Sequence, residues 1–132
     1  MCRAAAADGI THMVATPHAN DRYHYDREYL RGLVAHLQQL VGDRPTLSLG
    51  CDFHLSYDNL QDALANPTRY VIEDSRYLLV EFSNYSVPQQ TTDTFLKLGN
   101  LGITPIITHP ERNPIPPPAA GSRAEWGCAR DE

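Results

Sequence analysis

Four short β-type runs, at residues 10–15, 46–50, 77–82 and 103–108, alternate with helix-forming segments along the chain. This alternation restricts the fold more than any other feature of the sequence. Strands separated by helices build a parallel sheet or a β/α barrel. Run 77–82, Tyr-Leu-Leu-Val-Glu-Phe, reads as a buried strand, and 103–108 as another apolar one. Between the first two runs, Leu30, Leu33, Val34, Leu37, Leu40 and Val41 recur at helical spacing. They predict one apolar stripe facing the sheet. Asp26 is placed to cap that helix, Glu28 suits its first turn and Gly42 stops it. The alanine-rich residues 1–8 favour helix but lack a starting cap, and Gly9 ends them. Residues 57–66 suggest a short helix and 70–72 a weak strand, while Pro88 suits the start of a helix reaching about Asn100. The pattern stops after Asn113. Residues 1–113 are therefore expected to form one partial domain, and 114–132 a proline-rich tail in which little but Trp126 could pack.

Several chemistries are excluded. The net charge of −5 disfavours nonspecific binding to nucleic acid or anionic membrane. No apolar run approaches the roughly 20 residues of a membrane span. Cys2, Cys51 and Cys128 form no Cys-x-x-Cys pair, and a reducing cytoplasm is the natural setting. A cysteine-based tyrosine phosphatase needs an arginine six residues after its cysteine, but Cys51 has Tyr57 there and Cys2 has Asp8. Neither a phosphate-binding GxxxxGK[ST] loop nor a GxSxG elbow occurs.

Metal chemistry remains. His18, Asp52, Glu81 and His109 each lie at or just beyond one of the four runs. In parallel α/β folds the carboxyl ends of the strands share one side, where active sites form. Two imidazoles and two carboxylates suit Mn, Zn or Fe, and carboxylates can bridge two ions. Taken singly, each has a plainer reading: a solvated histidine, a turn aspartate, or a paired carboxylate in Glu81, which interrupts an apolar strand. Their common placement favours the metal reading. His54, two residues beyond Asp52, would share its strand face and is a further candidate ligand. His12 reads as packed within its strand, and His24 and His36 as structural or exposed. Arg112, in His-Pro-Glu-Arg-Asn, can offer a two-pronged donor to phosphate, or simply pair with Glu111. Arg22 is a second candidate for phosphate.

Val14-Ala-Thr-Pro-His18, Tyr77-Leu-Leu-Val-Glu-Phe82 and Ile106-Ile-Thr-His-Pro-Glu-Arg-Asn113 together resemble the PHP-type (polymerase and histidinol phosphatase) bacterial protein-tyrosine phosphatases, encoded with capsule and exopolysaccharide export systems. The resemblance covers residues 1 to about 114. It implies an incomplete, distorted TIM-like β/α barrel of parallel strands and a three-ion cluster, commonly Mn. It also implies hydrolysis of phosphotyrosine by metal-bound hydroxide, typically on a tyrosine autokinase controlling polysaccharide export. His18, Glu81 and His109 would be ligands, and Asp52 would stand where the family usually has glutamate. Arg112 would bind and activate the phosphoryl group. The family also carries an early His-x-His, which occurs nowhere here. Its late Asp-x-His is spelled only by Asp52-Phe53-His54, in another place. The expectation is a chain truncated at both ends, weak or inactive as written, with an open sheet edge through which copies could associate. The alternatives are a non-catalytic, partner-binding remnant and another PHP-fold phosphoesterase acting on small molecules.

Overall fold

The computed structural model describes residues 1–83, 87 and 90–112. Pro88 and residues 113–132, with Trp126 and Cys128, lie outside them. Six strands and four helices follow in the order α1 (Cys2–Ala7), β1 (His12–Ala15), β2 (His18–Ala19), α2 (Arg27–Val41), β3 (Thr46–Leu49), β4 (Asp52–His54), α3 (Tyr57–Ala65), β5 (Tyr77–Glu81), α4 (Thr91–Asn100) and β6 (Thr104–Ile107). All pairings are parallel: β1 with β3, β2 with β4, β4 with β5, and β5 with β6.

The two short pairs at the start are one ladder. Val14 lies opposite Ser48 and His18 opposite Asp52, so the register is unchanged four residues on. The amides of Thr46, Gly50 and Asp52 donate to the carbonyls of Thr11, Ala15 and Pro17 without a skipped step. Four strands thus follow one another in chain order, with a helix in each crossover. This is the α/β arrangement of TIM-like barrels. Gly50 permits the close packing at the join, because a Cβ there would meet Val14 Cγ1 at 3.0 Å and Ile72 Cγ1 at 3.2 Å.

Alternation along the strands gives the sheet two unlike faces. Leu49, Cys51, Phe53, Leu78 and Val80 are buried under the helices, joined by Ala63 of α3 and Leu98 of α4. Burying Phe53 alone stabilises by about 1.5–3 kcal/mol. The opposite face carries Asp52, His54, Leu79, Glu81 and Ile106, aligned by register.

The helix after β2 begins as its sequence dictates. Asp26 accepts a hydrogen bond from the Tyr29 amide at 3.0 Å, and Gly42 ends the helix at φ +88°. Its predicted stripe requires correction. Leu33, Leu37 and Leu40 are 47%, 42% and 61% exposed, and α2 has no buried residue. Only Leu30 and Val34 lean on the core. The reason is position: α2 packs against β3, which among the described residues pairs with β1 alone, so little apolar surface is available to cover the rest of the stripe. Polar contacts hold α2 instead. Gln38 donates to the carbonyls of Gly42 and Pro45 and accepts from the Leu47 amide at 2.6 Å. Arg27 donates to the carbonyls of Arg69, Val71 and Glu73. That clamp also explains a second correction. Residues 70–72 form no strand: the Val71 carbonyl accepts from the Arg27 guanidinium, and the Ile72 amide turns back to the Tyr77 carbonyl.

Candidate metal centre

Three side chains from three neighbouring strands meet on the open face. One ligand atom each from His18, Asp52 and Glu81 lies within 4.8 Å of the others. The register produces this meeting, because His18 stands directly opposite Asp52, and Glu81 one step along the same face. His18 Nδ1 is 3.2 Å from Asp52 Oδ2. The Thr108 hydroxyl has two acceptors at 3.3 Å, Asp52 Oδ1 and the Val80 carbonyl, and the second carboxylate oxygen of Asp52 is turned to His18. Asp52 is buried at the start of β4 and is not a turn residue. Glu81 is less enclosed than an apolar strand suggested, with a side chain 25% exposed.

His54 shares this face. Its Nδ1 lies 3.9 Å from Glu81 Oε2, so it borders the triad through Glu81. His109 stands at the same carboxyl end, two residues beyond β6, but outside the three-residue group; its Nδ1 is 3.5 Å from Glu111 Oε1. It adopts φ +48°, a left-handed conformation that costs about 1–2 kcal/mol for a non-glycine residue. The 3-10 turn Pro110–Arg112 follows, closed by the Arg112 amide on the His109 carbonyl at 2.9 Å. Glu81, Ser83, Thr108, His109 and Arg112 line one small cleft. Glu81 therefore belongs both to the triad and to the cleft that contains the arginine.

The other candidates fall elsewhere. Arg22 is exposed in the turn after β2 and His36 is exposed on α2. His24 lines a separate surface cleft with Asp26 and Arg69. His12 is exposed rather than packed, since among the described residues β1 has no strand on its outer side, and its Nε2 lies 2.7 Å from Ser48 Oγ. Cys51, beside Asp52, is fully enclosed; burial first and the Asp52 charge second push its thiol up to about 12. It is no nucleophile at neutral pH. Sequence reasoning missed Thr108 and Tyr23. The Thr108 hydroxyl reaches Asp52 across the intervening β5, a contact that no local spacing announces. Tyr23 stacks on His18, with ring centroids 6.2 Å apart and planes at 25°.

The donor set fits a divalent cation. One imidazole and two carboxylates at this spacing can surround an ion whose bonds are about 2.0–2.2 Å, and a hydroxyl lies within hydrogen-bond reach of one carboxylate. Among the described residues no helix is long and apolar enough to cross a membrane.

The model of a capsular polysaccharide synthesis family, CpsB/CapC, matches residues 1–114. The chain is 32% identical to CapC of Staphylococcus aureus over 119 residues, covering 86% of this chain and 46% of that protein. It is also 32% identical over 116 residues to the tyrosine-protein phosphatase YwqE of Bacillus subtilis strain 168, with the same coverage. Among solved structures it is similar to a chain from the work on YwqE of B. subtilis and CpsB of Streptococcus pneumoniae, metal-dependent tyrosine phosphatases. That match has TM-score 0.67 and 32% identity, and covers 86% of this chain and 47% of that one. The chain thus spans about half the length of the curated relatives it matches.

Proposed function

Because the chain belongs to the CpsB/CapC family, we propose that its triad serves metal-dependent hydrolysis of phosphotyrosine in proteins. One observation carries this reading: His18, Asp52 and Glu81, from three successive strands, present donor atoms within 4.8 Å. The relatives and the solved structure named as tyrosine phosphatases support the substrate class.

His18, Asp52 and Glu81 would hold the ion, with the Thr108 hydroxyl within hydrogen-bond reach of Asp52. The borderline-hard donors suit Mn, with Fe or Zn as alternatives. A bound divalent ion supplies Lewis acidity, which acidifies water and neutralises phosphoryl charge. Arg112 lines the cleft next to Glu81, and among the described residues its guanidinium has no ion pair. Its planar fork would grip two phosphoryl oxygens and counter the charge that grows on them. His109 would join as a ligand by turning from Glu111, and Arg22 would meet the substrate at the rim. We further propose a bacterial tyrosine autokinase of polysaccharide export as the partner, a cytoplasmic setting, and the barrel as the architecture to which the parallel sheet contributes. Residues 1–113 would be the phosphatase-like part, with 114–132 as a separate tail.

The test uses the full 132-residue chain. Mn binding is measured by calorimetry, and phosphate release from a phosphotyrosine peptide alongside it. Asp52→Asn is expected to weaken Mn binding at least tenfold. Equal Mn binding by the chain and this variant would refute the site. Mn binding without turnover would favour a partner-binding role, and turnover of small phosphate esters alone a small-molecule phosphoesterase.

A further inference from the structure

The turn that follows β2 is built more firmly than a surface loop needs to be. Asn20 and Tyr23 exchange two backbone hydrogen bonds of 3.2 Å each. The Asn20 side chain also accepts from the amides of Arg22 at 3.0 Å and Tyr23 at 2.9 Å. Its base is pinned from α3, where Asn59 donates to the carbonyls of Ala19 and His54, both at 2.9 Å. Ala19 itself is buried in register with Phe53. The backbone of Tyr23 is therefore fixed relative to the triad.

What that backbone presents is a ring. Tyr23 is 53% exposed, yet one side of it stacks on the imidazole of His18, a member of the triad. A half-exposed aromatic side chain, held rigidly beside the candidate phosphoryl site, is a preformed surface for a flat apolar group. Ring pairs are favourable at centroid distances of about 4.5–7 Å, and a tyrosine gives such area at small entropic cost. An aryl phosphate whose phosphoryl group meets the triad must lead its own ring outward over the rim. Aliphatic phosphate esters have no ring to place there.

Resting on the phosphatase reading above, we infer that Tyr23 is a specificity-determining residue: its ring packs against the aromatic ring of an aryl phosphate and so selects aryl over alkyl esters. A tyrosine that only shields His18 would make no such distinction.

The experiment compares phenylphosphonate with methylphosphonate, two stable ligands that differ in the ring. Their affinities for the Mn-loaded full chain are measured by calorimetry, with Tyr23→Ala and Tyr23→Phe in parallel and circular dichroism as the check on folding. Phenylphosphonate is expected to bind about 3–10-fold more tightly, the size of one aromatic pair. Tyr23→Ala should bring the two ligands to equal affinity, and Tyr23→Phe should keep the preference. A preference that survives in Tyr23→Ala overturns the inference, as does a chain that binds both ligands equally. In both cases the phosphatase reading stands. If neither phosphonate binds, that reading fails and this inference with it.

Discussion

The two ends of the sheet are held by different forces. Around β4 and β5, Phe53, Leu78 and Val80 are at most 1% exposed and pack under α3 and α4. Around β1 and α2, no helical residue is buried, and the contacts that fix α2 are the carbonyl clamp of Arg27 and the triple bond set of Gln38. The difference teaches where the candidate site draws its rigidity. Asp52 and Glu81 stand on the apolar-packed strands, so their backbones are fixed by a core that tolerates little movement. His18 stands on the strand at the loosely packed side. It is tied to the site through register with β4 and through the Asn20–Tyr23 turn. The triad thus straddles a boundary between packed and lightly packed structure.

Two thiols sit on the two sides of that boundary and report on it with the largest expected effect. Cys51 is enclosed next to Asp52, and its thiol is held up to about 12, so at pH 8 it is both inaccessible and protonated. Cys2 lies partly exposed on α1. In a Cys128→Ser background, a thiol reagent is expected to modify Cys2 at nearly the rate of a free thiol. Cys51 should react at least about 10³–10⁴-fold more slowly, through global opening of a domain of ordinary stability. Raising the pH from 7 to 9 should leave the rate at Cys51 limited by opening. Similar rates for the two thiols would erase the contrast between the regions. Next in size, Phe53→Ala should cost about 3–5 kcal/mol in urea unfolding, as expected for a fully enclosed aromatic side chain. A loss below about 1 kcal/mol would show that the centre is no better packed than the edge.

Much of this was legible in the sequence, and the failures share a cause. Alternating runs gave the parallel strands, and Asp26 and Gly42 gave the limits of α2, because caps and periodicity are local properties of the chain. The meeting of His18, Asp52 and Glu81 could be anticipated because strand ends share one side of a parallel sheet. His109 carried the same signal and stands at the same carboxyl end, with its Nδ1 3.5 Å from Glu111 Oε1. The leucine stripe of α2 was correctly located but wrongly covered. Periodicity tells which side chains share a face; it does not tell whether the sheet offers enough surface to bury them. The strand expected at 70–72 failed for a related reason, since an arginine 44 residues earlier takes the Val71 carbonyl that a neighbouring strand would need. The contact of Thr108 with Asp52 and the stack of Tyr23 on His18 are likewise products of tertiary placement.

The smallest expected effect tests the comparison at its weakest side. From periodicity alone, Leu37→Ala should cost about 2–5 kcal/mol, the loss for a fully buried leucine. At 42% exposure much of that side chain stays in water, and alanine is the slightly better helix former, so the net loss should be below about 1 kcal/mol. Its neighbour Gln38 reverses the usual ranking. Gln38→Ala removes bonds to Gly42, Pro45 and Leu47 and strands the Leu47 amide at the start of β3, where it is partly buried. An amide left without its partner costs about 1–3 kcal/mol. The polar substitution should therefore destabilise more than the apolar one, by a margin that urea midpoints at unchanged slope can resolve. If Leu37→Ala proves the costlier of the two, an apolar surface covers the α2 stripe in solution. The edge would then be no edge, and the contrast with β4 and β5 would be withdrawn.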